Sequence, residues 1–326
     1  MNVATIQKGD LWRMAREAAI HRPLTDSRVI EVAGSERGSF LNSLITNKVD
    51  DLDTGQGARA FLLNPTRGRV LADLLVCAAA DALWLECLGG SGAVVTELLQ
   101  RYYFGQDVEV GDRSQTFHVF SLQGPAAARA LTGIGIEEPP SESVAHQDRV
   151  LFGSPGRVVR WSDTGAEGFH LWVAAEVVDD MRAWLVREEI PEVDDDTWDV
   201  LQIESGTAVF DRELNEHHIP LEAPIGDAIH HEKGCYPGQE VIARLHVRGR
   251  PARFLKGLRF EHGPPPERGS VLDAEGKTGA AEVTASGVSP ELGPIAMAYV
   301  LRDYSEAGTR LMCDGHTATV HDLPLR

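Results

Sequence analysis

One order of elements is written twice in this chain: a strand, a glycine break, a helix, several strands, another helix. This is an internal repeat of two α+β units, visible in pattern more than in identities. In the first copy Arg28-Val29-Ile30-Glu31-Val32 reads as a strand. Gly34-Ser35 breaks it, and Phe40, Leu41, Leu44 and Ile45 have helical spacing. Strands are expected at residues 58–63, 69–78 and 82–88. Gly89-Gly90-Ser91-Gly92 then opens a helix carrying Val94, Val95, Leu98, Leu99 and Tyr102, and residues 107–110 close the unit as a short strand. The second copy has a strand at 118–122, the Gly124-Pro125 break and a helix at 126–131. Strands follow at 150–152, 157–161 and 169–173, then a helix over about 176–189.

The flanks differ. Leu11, Met14, Ala15, Ala18 and Ala19 predict an opening helix over 10–20. After an acidic break at 191–196, a helix over 197–204 ends at Gly206, and 211–249 reads as polar loop. Beyond Arg250-Pro251, short strands at 255–260, 279–286, 295–301 and 311–321 alternate with turn signals, which predicts a small sandwich or barrel. The fold class is α+β. Residues 1–249 form two related units, about 1–112 and 113–249, and residues 250–326 form a β domain.

Charge narrows the function. A net charge of −18 argues against direct nucleic-acid binding, which depends on neutralising phosphates. The densest basic run, Arg244, His246, Arg248, Arg250 and Arg253, leaves a tRNA-binding module as a minor reading. The apolar region 70–88 is broken by Asp73, Asp81 and Glu86, so no membrane span is expected, and charged residues through 1–23 exclude a signal-peptide core. Cysteines at 77, 87, 235 and 313 lack the paired spacing of a disulfide framework or zinc ribbon, and a reducing cytoplasm is the expected setting.

Lys233-Gly234-Cys235-Tyr236-Pro237-Gly238-Gln239-Glu240 concentrates chemistry on a turn. Gly234 and Gly238 can reach positive φ, and Pro237 fixes its own. A thiol there is open to solvent, with Lys233, His230 and His231 nearby to favour the thiolate, unless Cys235 is instead a small buried apolar residue. A second candidate is Asp73, placed by two-residue alternation on the strand face of Leu71, Leu75 and Cys77, where it meets a cavity, a donor or solvent. A third is the turn Asp163-Thr164-Gly165-Ala166-Glu167-Gly168-Phe169-His170, with Glu167 and His170 as polar contacts for a flat ligand, or as parts of an ordinary hairpin. Gly89-Gly90-Ser91-Gly92 lacks the lysine of a phosphate loop. The doublets His217-His218 and His230-His231 are poorly arranged to share a metal, and no metal site is expected.

These segments, in this order, resemble the glycine-cleavage T-protein/YgfZ superfamily over essentially the whole chain. The specific part is the 233–240 motif followed by Val241-Ile242-Ala243-Arg244, which is similar to the cysteine-centred signature of the YgfZ branch. Residues 120–126, 165–169 and Glu204-Ser205-Gly206 support it. The resemblance implies two α+β units and a C-terminal β-barrel around a central folate-sized channel. It also implies tetrahydrofolate as cofactor and a role in maturing or repairing iron–sulfur enzymes, with an effect on tRNA thiomethylation. Iron–sulfur enzymes or cluster-assembly proteins would be the partners. Cys235 would be the reactive thiol, with Lys233 and Glu240 tuning or orienting it. Asp73, Asn64, Glu167, His170 and Gln202 fall at folate-facing positions. Several of these depart from the T-protein pattern. The paired aspartates read Ala72-Asp73, a pterin-facing glutamate reads Ala166, a later acidic position reads His170, and an arginine reads Gln202. The alternative is a folate-dependent aminomethyltransferase, one-carbon transferase or demethylase.

Overall fold

The computed structural model describes residues 8–325, without the side chains of Lys8 and Arg248. The chain opens with α1 (Lys8–Glu17) and β1 (Ile20–Pro23). The first unit is β2 (Arg28–Ala33), α2 (Arg37–Asn42), β3 (Gly57–Leu63), β4 (Val70–Ala78), β5 (Ala82–Cys87), α3 (Gly92–Arg101) and β6 (Glu109–Asp112). The second is β7 (Phe117–Gln123), α4 (Ala127–Leu131), β8 (His146–Leu151), β9 (Ser154–Arg160), β10 (Gly168–Ala174) and α5 (Val178–Arg187).

Their sheets are ordered β3-β4-β5-β2-β6 and β8-β9-β10-β7-β1. Position for position these are the same topology, so the repeat in the sequence is a repeat in space. The last strand of the second sheet is supplied by the chain's start: β1 pairs antiparallel with β7, Ile20 opposite Gln123 and Pro23 opposite Phe120. The opening helix therefore stops at Glu17 instead of running to residue 20. A partner strand a hundred residues away decides the conformation of Ile20, and local periodicity carries no sign of it.

The two sheets pack face to face. Along β4, Ala72, Leu74 and Val76 point to a core closed by Phe40, Leu41 and Val95. Leu75 and Cys77 point the other way, into the layer between sheets with Val119, Val159 and Trp172. The strand is buried on both faces, as a sandwiched central strand must be. Asp73 has the phase of Leu75 and is thereby placed between the sheets.

Next come α6 (Asp195–Ser205) and α7 (Gln239–Arg248). Asp194 caps α6 by accepting from the Thr197 amide, and Gly206 ends it at φ 72°. The stretch expected as loop through 249 thus contains a helix. Val241, Ile242 and Leu245 give α7 an inward side, with Ile242 buried, but the surrounding polar residues obscure that spacing.

The C-terminal strands are β11 (Arg253–Phe260), β12 (Val271–Ala274), β13 (Lys277–Ser289), β14 (Gly293–Leu301), β15 (Arg310–Cys313) and β16 (His316–His321). They close into a barrel ordered β11-β14-β13-β12-β15-β16. The expected strand at 311–321 is a hairpin, and β12 was not anticipated. Leu258, Ala298 and Val320 fill the barrel. Its outer side packs Met297 and Tyr299 against Ile203, Phe61 and Val70, joining barrel, α6 and first unit in one core.

Candidate functional site

A cavity of about 160 Å³ opens between the two sheets and α6. Its wall includes Arg59 of β3, Asp73 of β4, Trp161 and Asp163 after β9, and Trp198 and Gln202 of α6. Arg59 donates from Nε to Asp73 Oδ1 at 2.9 Å and from Nη2 to Oδ2 at 2.6 Å. Its guanidinium lies 5.2 Å from the Phe61 ring centre and 5.3 Å from that of Trp161. Burial opposes the charge on Arg59, but Asp73 outweighs it, with Asp163 and Asp227 adding, and the guanidinium is held above its ordinary range. Asp73 is 1% exposed, so the bidentate pair is what allows a carboxylate there.

Behind this wall lies a buried charge relay. His170 on β10 is fully buried and sits between Glu86 Oε1 at 2.7 Å and Asp163 Oδ2 at 2.8 Å. Burial works to strip its proton, yet the two carboxylates dominate and raise its pKa to about 10. Both ring nitrogens therefore donate. Asp163 is held low: burial opposes its charge, and His170, Ser121 and Trp161 outweigh that penalty. Trp172 Nε1 donates to Glu86 Oε2 at 2.6 Å. Since Glu86 belongs to β5 and His170 to β10, the relay crosses from one unit to the other.

The 233–240 segment forms a different site. Cys235 is exposed, whereas Cys77, Cys87 and Cys313 are buried. Lys233 does not turn toward the thiol. Its Nζ donates to the carbonyls of Ile45 at 2.8 Å and Asn47 at 2.5 Å, and burial lowers its pKa to about 8 against the pull of Asp50. Thr46 Oγ1 donates to the Ala228 carbonyl and Asn47 Nδ2 to that of Asp227, so the approach to the motif is sewn to residues 45–47. Gly238 precedes α7 at φ 83°, and a Cβ there would stand 2.9 Å from the Asn64 carbonyl oxygen. Asn64 Oδ1 in turn accepts from the Thr66 and Arg67 amides, shaping the turn on which Gly238 rests. Glu240 is exposed in the first turn of α7.

The structure thus brings Asp73 and Gln202 to the cavity and sets His170 behind its wall. Asn64 supports the cysteine turn instead. Glu167 is half-buried, 3.6 Å from Arg160 and not part of the cavity wall. Arg59, Trp161 and Trp198 were not singled out by sequence, and Asp163 and Glu86 were named there without a role in the site. The available signal was a charge on the inward phase of an apolar strand, as in Leu83-Trp84-Leu85-Glu86-Cys87. Among the described residues, no three metal-ligating side chains are grouped to hold a metal ion, and no helix is long and apolar enough to cross a membrane. His218 stacks on Tyr299 and His231 on His246. In the basic run, Arg244, His246 and Arg250 are exposed, Arg253 lies 3.7 Å from Glu222, and the Arg248 side chain falls outside the described part.

Comparison with known proteins gives consistent relatives. Residues 12–233 match the GCVT N-terminal domain family. A putative chloroplastic transferase of Arabidopsis thaliana is 26% identical over 86% of this chain, which spans 64% of that protein's length. The aminomethyltransferase of Thermus thermophilus is 30% identical over 82% of this chain and 76% of its own. The human mitochondrial aminomethyltransferase is 28% identical over 87% and 72%. The crystal structure of glycine cleavage system aminomethyltransferase T from Bartonella henselae superposes with a TM-score of 0.88, covering 98% of this chain and 90% of that one at 24% identity. That likeness is one of fold: two sheet units and a closed barrel.

Proposed function

Because the chain belongs to the GCVT N-terminal domain family, we propose that it binds tetrahydrofolate and serves as an accessory protein in iron–sulfur cluster assembly or repair, with an effect on tRNA thiomethylation. Its partners in this reading are iron–sulfur enzymes or cluster-assembly proteins in the cytoplasm. Residues 1–249 supply the folate-binding region and 250–326 the barrel that buttresses it.

The observation that carries the reading is the mounting of Cys235. It is the exposed cysteine, and its turn is fixed by Lys233, by the close approach of Gly238 to Asn64, and by the burial of Tyr236. A thiol presented on a fixed turn is placed to meet a partner. The cavity receives the head of the cofactor. At about 160 Å³ it is smaller than the roughly 300 Å³ and above of sites that enclose whole drug-sized ligands, so the tail runs out through the open mouth. Trp161 and Trp198 offer flat apolar surface there, Asp163 and Gln202 offer polar contacts, and Asp73 stands on the wall paired with Arg59.

The test is complementation with Cys235→Ala in a strain lacking the wild-type gene. Iron–sulfur enzyme activity should fall, and full restoration rejects the thiol role. A second reading, a folate-dependent aminomethyl or one-carbon transferase, is favoured by Asp73 on the cavity wall and by the names of the relatives. Folate-dependent transfer abolished by Asp73→Asn and indifferent to Cys235→Ala would select it.

A further inference from the structure

The cavity wall and the layer behind it carry a chain of paired charges. Asp73, Asp163 and Glu86 meet Arg59 and His170 in one connected layer between the sheets. Arg157, stacked on Trp172, adds a third cation to the layer, so what decides ligand chemistry is which carboxylate oxygen stays open to the cavity: in a region of low solvent access it favours a ligand that brings positive charge or N–H donors.

The three carboxylates are not equally free to receive it. Both oxygens of Asp73 are taken by Arg59, and its side chain is 1% exposed. Glu86 is 0% exposed and spent on His170 and Trp172. Asp163 differs. Its Oδ2 accepts from Ser121 Oγ at 2.5 Å and from His170 Nε2 at 2.8 Å, with Gln123 Nε2 at 3.4 Å. Among the described residues its Oδ1 accepts only from Trp161 Nε1 at 3.1 Å, which leaves one lone pair. Its side chain is 14% exposed, and it lines the cavity.

We propose that Asp163 is the acceptor with which this cavity engages the donor edge of a planar amidine-bearing head group, and that His170 is the positioning residue that fixes its carboxylate. This rests on the folate reading of the cavity and deepens it. Where the resemblance led to an acidic residue at position 170, this chain has a cation, and the carboxylate facing the ligand comes from position 163. Glu86 anchors the far side of the imidazolium, so Asp163 is aimed from the opposite sheet. The charged and titratable groups around His170 are Glu86 of β5, Asp163 after β9, and Arg59 and Asp73 on β3 and β4. Ser121 and Gln123 of β7 complete the polar surround, and Arg157 of β9 stacks on Trp172. His170 retains its proton through neutrality, so wild-type affinity should not change between about pH 6 and about pH 9 on this group's account.

The experiment measures dissociation constants for tetrahydrofolate and for 2,6-diaminopyrimidin-4-one, a small pyrimidine probe with the same N3–H and 2-amino donor edge, across that pH range. Asp163→Asn should weaken both by about tenfold to a hundredfold, the range for losing a hydrogen bond to a charged group. Asp163→Glu keeps the charge and moves the oxygen by one methylene, and should also cost about tenfold or more. His170→Gln should bind within about threefold of wild type at about pH 9 and lose affinity progressively as the pH falls, because burial raises the Asp163 pKa once the lowering by His170 is gone. A role confined to stability would lower the melting temperature without creating that acidic limb. Wild-type affinity in a folded Asp163 variant overturns the assignment of the acceptor. A pH-independent His170→Gln with wild-type affinity overturns the positioning role. Binding of the pyrimidine but not of tetrahydrofolate, lost in Asp163→Asn, rejects the folate reading and upholds this inference. Binding of neither probe by the wild type rejects both.

Discussion

Replacing His170 by Gln tests whether a buried imidazolium joins the two units. In the folded chain the imidazole has a pKa of about 10, against an ordinary 6.5, because Glu86 and Asp163 together outweigh its burial. Each tenfold change in proton affinity is about 1.4 kcal/mol, so the ceiling on the linked stability is roughly 4–5 kcal/mol. The sign follows from proton counting. Between about pH 6.5 and about pH 10 the folded state holds a proton that the unfolded state releases. The contribution is therefore complete below about pH 6.5 and is lost as pH rises through about 10. Urea denaturation of wild type and His170→Gln at successive pH values above about 6.5 reads this group, since the groups that do not touch His170 titrate alike in both and the change at Asp163 falls on the acid side. The stability difference should be largest near about pH 6.5, on the order of 3–5 kcal/mol as for breaking a buried ion pair, and should shrink by up to about 1.4 kcal/mol per pH unit. A difference that stays constant across the range would mean that His170 is neutral in the fold, and the relay would then be two carboxylates bridged by an uncharged ring. Glu86→Gln is the companion variant, because it removes one carboxylate without touching the cavity and should lower the pH at which the difference closes.

The other expectations concern the cysteine turn and the wall. Alkylation of the native protein followed by peptide mapping should modify Cys235 first, because Cys77, Cys87 and Cys313 are buried and burial raises the Cys77 thiol to about 12; early labelling of Cys77 would contradict the fold between the sheets. Gly238→Ala forces a left-handed residue and a Cβ 2.9 Å from a carbonyl oxygen, so stability should fall by about 1–3 kcal/mol in denaturant titration. Lys233→Met removes two hydrogen bonds to residues 45–47 and should increase amide exchange through 230–236 while leaving the β11–β16 barrel protected. Arg59→Met leaves Asp73 at 1% exposure without its partner and should destabilise the chain by about 3–5 kcal/mol at neutral pH by thermal or urea unfolding.

What was legible in the sequence was what neighbours in the chain decide. The repeat, most of the barrel strands and the face that Asp73 shares with Leu75 follow from local spacing and the order of elements, and the structure retains them. What was not legible depends on partners brought from far away. Ile20 reads as the end of a helix because its pairing with Gln123 leaves no local trace. Lys233 reads as a thiol activator because it is two residues from Cys235, yet its ammonium reaches carbonyls at positions 45 and 47.

The same distinction explains the cavity. Arg59, Glu86 and His170 each interrupt an apolar strand, and each alone looks like an edge position facing water. Their burial is tolerable only in combination, since every one of them is paired with a charge on another strand or loop. Single-strand periodicity reports which neighbours share a face with the charge, and whether that face is buried, and against which partner, is fixed by how the two sheets register. A rule can still be drawn from these positions. Where two copies of a unit stack, inward charges of opposite sign at equivalent strands, here Glu86 on β5 and His170 on β10, identify the surface along which the copies meet. In this chain that surface is also where the cavity opens, because Asp163 extends the pair from the interface to the wall. The chemistry of the site and the joining of the two units are therefore one arrangement of charge, and a substitution at His170 should disturb both together.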